Sequence, residues 1–185
     1  MKKLVCLTLF VLFASMLVSC AKAKATPERV EGMINPGDKI GSMTVQEHSP
    51  LAFTPDLGKY CGEFFVDESE AGTSTVDCEL PSLSRLRFVV GWGAKDETIL
   101  NSNWSAMTWA LHIDDHPINL EQFEQRKMRG GGQIGRWWSI DLVDLSPGKH
   151  TIRLVWASET PIDDGFKIYA PGMHEHIINL TVAEK

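Results

Sequence analysis

His174, Glu175 and His176 form the sharpest chemical pattern in the chain. On a strand, residues two apart point to one face, so both imidazoles would stand together as two ligands of a Zn or Cu ion. Met173 precedes them, and a thioether favours Cu(I). His112 or Asp114 would supply a third ligand. The same parity aligns the two histidines with Ile178, Leu180 and Val182, so the competing expectation is that they cap the core at a sheet margin. The run His112 to His116 also offers an acid/base pair, but Asp114, Asp115 and Pro117 suit a turn better.

Gln125 to Arg136 concentrates Arg126, Lys127, Arg129 and Arg136 among Gly130, Gly131, Gly132 and Gly135. The formal spacing of a dinucleotide fingerprint is present, but no βαβ unit surrounds it. As a mobile basic loop this run would hold an anionic group such as a sugar acid, a phosphate or a carboxylate. Trp137 follows at once, and Trp104 lies in the polar run Asn101 to Ser105, which reads as a loop. Both suit stacking on a sugar or packing on a partner. The ligand-binding candidates are therefore Trp104, Arg126, Arg129, Arg136 and Trp137. Asp163, Asp164 and Gly165 read as a turn, since the ligand spacing of a Ca²⁺ loop is missing. No Gly-x-Ser-x-Gly, His-Glu-x-x-His or P-loop occurs, and the carboxylates are too many to select a glycosidase pair, so no catalytic residue is assigned.

The elements that must position these residues repeat with period two. Leu86, Phe88, Val90 and Trp92 alternate with Arg85, Arg87, Val89 and Gly91. Met107 to Asp114, Trp137 to Leu142, His150 to Trp156 and Ile178 to Ala183 alternate in the same way. In this reading Trp92, Trp109, Trp138 and Trp156 face the core and Trp137 faces solvent. Only Ile118 to Met128 suits a short helix. Such a pattern predicts an all-β fold, an antiparallel two-layer β-sandwich of immunoglobulin-like or jelly-roll type.

Of the four cysteines, Cys6 and Cys20 fall within the first twenty residues, and Cys61 and Cys78 remain as a pair. Tyr60 to Asp67 and Ser74 to Leu80 are both strand-like. A hairpin turning at residues 69–70 would place the two cysteines opposite each other, and a disulfide is expected in an oxidising compartment.

Met1, Lys2 and Lys3 form a basic start, and an apolar stretch runs from Leu4 to Val18 with only Thr8 and Ser15 interrupting. It ends in Leu17, Val18, Ser19 and Cys20. This resembles the lipobox of bacterial lipoproteins, over residues 1–20 only. The resemblance implies cleavage before Cys20, a lipid on its thiol and a palmitate-type acyl group on the new amino terminus. Ala21, in place of Asp, implies the outer membrane, with the domain facing the periplasm or the cell surface. Residues 1–19 are then a signal peptide, 20–42 a lipidated tether and 43–185 one β-sandwich domain. Several acyl chains anchor a protein stably without a transmembrane helix.

The chain has 185 residues, with Lys+Arg 18 against Asp+Glu 24 and a net charge of −6, and loss of Lys2 and Lys3 makes it more negative still. An acidic chain lacks the basic face a nucleic-acid binder needs, so no nucleic-acid partner is expected. The sequence supports an envelope β-sandwich that binds a glycan or a protein partner, leaning away from catalysis. A periplasmic Cu or Zn protein using His174 and His176 is the first alternative, and a small carbohydrate-active enzyme the second. No other cofactor is expected.

Overall fold

Leu86, Phe88, Val90, Trp92 and Ala94 are buried at every second position, while Arg85, Arg87, Val89, Gly91 and Gly93 between them are half-buried. That alternation builds one strand of a sheet covered on its inner side. The computed structural model describes residues 30–61 and 69–184, so the signal sequence and Cys20 lie outside the described residues. In chain order the elements are β1 (Lys39–Ile40), β2 (Met43–Glu47), α1 (Gly58–Cys61), β3 (Gly72–Leu80), β4 (Arg85–Ala94), α2 (Glu97–Ala106) and β5 (Met107–Ile113). There follow β6 (His116–Pro117), a 3₁₀ turn at Leu120–Gln122, β7 (Gln125–Gly130), β8 (Gln133–Val143), β9 (Gly148–Ser158), β10 (Ile162–Asp163), β11 (Ile168–Tyr169) and β12 (Gly172–Val182).

The first sheet runs β1-β2-β8-β4, with β7 also paired to β8; the second runs β3-β12-β9-β5-β6. The pairs are antiparallel except β3 with β12. Phe88, Ile140 and Leu142 of the first sheet meet Leu111, Ile152, Leu154 and Leu180 of the second in one core. A second cluster, with Trp92, Leu100, Met107 and Trp156, closes the end beside α2. The architecture is the expected all-β sandwich.

Four local expectations are corrected. Gly58–Cys61 is helical and β3 pairs with β12, so no strand at residues 60–61 faces Cys78; residues 62–68 of the expected hairpin lie outside the described residues. The Cys61–Cys78 disulfide nonetheless forms, with Cα atoms 5.1 Å apart. Residues 34–40, read as tether, belong to the fold: Ile34 N–H donates to Pro117 O at 2.8 Å, Asn35 is 7% exposed, and β1 pairs with β2. Gln125 to Met128 is strand rather than helix, because β8 offers it a ladder of partners. Asn101 to Ser105 is helix rather than loop. Asp96 caps it by accepting from Ile99 N–H at 2.9 Å, and Leu100 and Asn103 bury one side.

Candidate functional site

Trp137 and Trp138 are neighbours on β8 and face opposite ways. Trp138 is 3% exposed and joins the core. Trp137 is half-buried on the outer face of the first sheet and belongs to neither core cluster. Its indole lies across Gly91, Gly93 and Gly135. A Cβ on Gly135 would stand 2.1 Å from the indole Nε1, and one on Gly91 2.8 Å from Cε3. The glycines thus make a floor without side chains, on which a flat ring lies down against two strands.

The glycine-rich run is a hairpin and not a mobile loop. Gly131 and Gly132 have φ of 59° and 80°, the left-handed values that a two-residue turn between β7 and β8 demands. Ladder pairing sets the faces. Arg126 stands opposite Trp137 and Met128 opposite Gly135, so both share the outer face, and Met128 is exposed. The Arg126 guanidinium donates to Glu124 at 3.1 Å and to the His48 carbonyl at 3.3 Å.

Lys127 and Arg129 have the opposite parity and both reach Glu97 on α2. The hydrogen bond from Lys127, and then the charges of Lys127, Arg129 and Arg136, hold the Glu97 carboxyl below its ordinary range. Arg136 lies over the Trp104 ring at 4.9 Å and donates to Asn101 Oδ1 at 2.8 Å. Trp104 itself packs on Trp138 at 4.9 Å and Trp109 at 5.5 Å, as a wall of the interior. The five ligand candidates therefore fall into two groups on opposite faces of β8: Arg126 with Trp137, and Trp104 with Arg136 and Arg129.

Beside the first group lies a feature the sequence reading missed. After Glu47 the chain crosses the outer face of the sheet. His48 N–H donates to Ser139 O at 3.0 Å, and the segment lands beside β4, where Arg87 N–H donates to Pro55 O at 2.8 Å. Asp141 lies beneath, fully buried. His48 Nδ1 is 3.0 Å from one of its oxygens, and Thr54 Oγ1 donates to the other at 3.2 Å. Arg87 Nη1 lies 3.2 Å from His48 Nε2, and its Nη2 pairs with Asp56 at 3.1 Å. A guanidinium only donates, so Nε2 accepts and Nδ1–H donates to Asp141. The hydroxyl bonds the carboxylate instead of the imidazole, so these residues form a lock and not a nucleophile–base pair. Between the locked ends Leu51 is 98% and Phe53 96% exposed. The only sequence signal was a run from His48 to Pro55 without Lys, Arg, Asp or Glu.

The structure gives His174 and His176 partners within the protein. His174 is 1% exposed, stacks on Trp156 with ring centroids 3.7 Å apart, and donates from Nε2 to Ala170 O at 2.9 Å. His176 Nδ1 is 2.8 Å from Ser74 Oγ. His112 lies on β5 with its Nδ1 buried and unpartnered among the described residues. Asp114 is taken by His150 Nδ1 at 2.7 Å and Thr151 N–H at 2.8 Å. Among the described residues no group of three His, Cys, Asp or Glu side chains gathers to hold a metal ion.

No family model matches the chain, and no curated protein matches it. Solved structures with partial likeness include PbICP-C in complex with falcipain-2, at 18% identity and a TM-score of 0.33, over 63% of this chain and 93% of that one. The cysteine protease inhibitor EhICP2 of Entamoeba histolytica aligns at 10% identity and a TM-score of 0.30, over 62% of this chain and 96% of that one. Amebosin aligns at 11% and 0.29, over 60% and 96%. Overlap of this extent assigns neither a family nor a partner.

Proposed function

We propose that the protein is a lipid-anchored protein of the bacterial outer membrane whose β-sandwich is a non-catalytic binding module, with Trp137 and Arg126 as its contact surface. The observation that carries this reading is the seating of Trp137. Its ring covers three glycines on the outside of the sheet, where the core gains nothing from an indole. A flat apolar face beside a guanidinium suits a ligand that combines a sugar face with an anionic group. An acidic envelope glycan is the ligand class that fits, and an envelope protein is the alternative partner. The lipid anchor at Cys20 rests on the resemblance of residues 17–20 to a lipobox.

Full-length lipidated protein in detergent, applied to an array of acidic and neutral glycans, tests the reading. Binding to acidic glycans that Trp137→Ala and Arg126→Ala each lower at least tenfold, with the glycans recovered uncleaved, supports it. Unchanged binding in Trp137→Ala places the contact elsewhere. Cleaved products convert the module into an enzyme.

A further inference from the structure

We infer that the loop carrying Leu51 and Phe53 inserts into the bilayer that holds the chain's own lipid; the inference rests on the proposed anchor at Cys20, and on no other part of that reading. Single exposed apolar residues are ordinary, but these two stand two residues apart with almost their whole surface in water. The loop that presents them is locked at both ends to buried Asp141, through His48 and Thr54. Its order is therefore established before any contact is made. From His48 to Pro55 no Lys, Arg, Asp or Glu would have to be stripped of water with the tip.

The incoming chain passes from Ile34, which bonds Pro117 of β6 at 2.8 Å, to β2, from which the loop departs. Gly37 N–H donates to Val45 O at 2.7 Å, and Val45 N–H to Asp38 O at 3.0 Å, so the incoming chain lies along β2. His48 follows Val45 by three residues, roughly 10 Å along a strand. Cys20 precedes Val30 by ten residues, which span at most about 35 Å. The lipid therefore keeps the loop within reach of the membrane, and a tethered contact needs little affinity of its own. The tip itself carries no charge from His48 to Pro55, so its hold is apolar and insensitive to salt.

The experiment uses full-length lipidated protein in vesicles of phosphatidylethanolamine and phosphatidylglycerol, with its mass measured first. A nitrobenzoxadiazole label is placed at Phe53→Cys and, for reference, at Lys149→Cys on the other sheet. The expected result is a blue-shifted emission at position 53, quenched several-fold more than at 149 by nitroxide-bearing lipid, and unchanged by high salt. Lipidated protein whose label at 53 is as wet as that at 149 overturns the insertion and leaves the anchor standing. A label shielded without vesicles, in a concentration-dependent way, makes a second copy the occupant and overturns it too. A mass without lipid overturns the anchor and the insertion with it.

Discussion

His48 and Asp141 are 93 residues apart in sequence and meet at 3.0 Å on the outer side of the first sheet, where the carboxylate is fully buried. A buried carboxylate is tolerable only while its lone pairs are used, and here His48 and Thr54 use them. Asp141→Ala would remove both anchors of the crossing loop and leave His48 without its acceptor. It should cost about 2–3 kcal/mol of stability, as leaving buried donors unpaired does. The loop should loosen more than the core does. Chemical denaturation reads the first effect, and faster proteolysis near Phe53 in the native state reads the second. A variant that loses stability but keeps the wild-type cleavage rate at the loop would show that Asp141 does not hold it.

Trp137→Ala and Trp138→Ala should separate surface from core. Trp138 contacts Trp104 and Trp109 inside the sandwich, and its truncation should cost about 3–5 kcal/mol. Trp137 covers glycine backbone on the outer face, so its truncation should cost about 1 kcal/mol, in keeping with a half-exposed ring. Thermal melts of the two variants decide this before any ligand is known. A reversed order of the two losses would contradict the register of β8.

Those two tryptophans also show how far alternation alone could be read. Period two placed Leu86 to Trp92, Trp138 to Leu142 and Ile152 to Trp156 on the correct sides, because a sheet with one covered face forces that spacing. Where a residue's fate depended on a distant partner, local pattern failed. Arg126 to Arg129 is strand because β8 lies beside it, and α2 forms in an Asn- and Ser-rich run because Asp96 caps it and Leu100 finds a pocket. Nothing in the sequence around His48 or Asp141 tied the one to the other; the uncharged run from His48 to Pro55 marked only the loop. Asp141 sits on the outward side of its strand, where a carboxylate is ordinary until a segment from elsewhere in the chain crosses over it.

The two cysteine assignments are tested separately. Cys20→Ser should abolish incorporation of labelled fatty acid and leave the precursor uncleaved; continued cleavage, with no label in the wild type, would refute the anchor. For the second pair, the unreduced protein should show no reactive thiol at Cys61 or Cys78, whose sulfurs are bonded across a separation of 17 residues. Replacing both by Ala should cost about 3 kcal/mol in the chain-entropy account of such a loop. Recovery of both thiols under oxidising conditions would contradict the bond.

Glu175 makes the acid response of the fold predictable. It is 8% exposed on the outer side of β12, accepts from Thr73 Oγ1 at 2.8 Å and pairs with Arg153 Nε on the adjacent strand. The hydrogen bond from Thr73, then that from Arg153, holds its carboxyl below the ordinary glutamate value despite the opposing effect of burial. A carboxyl lowered in the folded state binds its proton more readily once the chain unfolds. Its contribution to stability is therefore complete above the ordinary glutamate range, and it is lost as pH falls through the lowered folded value. Arg153 is 43% exposed, so solvent screens the pair and the effect is modest and weaker in high salt. Melting temperatures of wild type and Glu175→Gln, taken from neutral pH down into the acid range, should start apart with the wild type higher. They should converge as the carboxylate is protonated, and the gap at neutral pH should narrow in 1 M salt. Parallel curves with a constant gap would mean that the Glu175→Gln variant loses packing or hydrogen bonds alone, and that the ionised carboxylate adds nothing to the pairing of β3, β12 and β9.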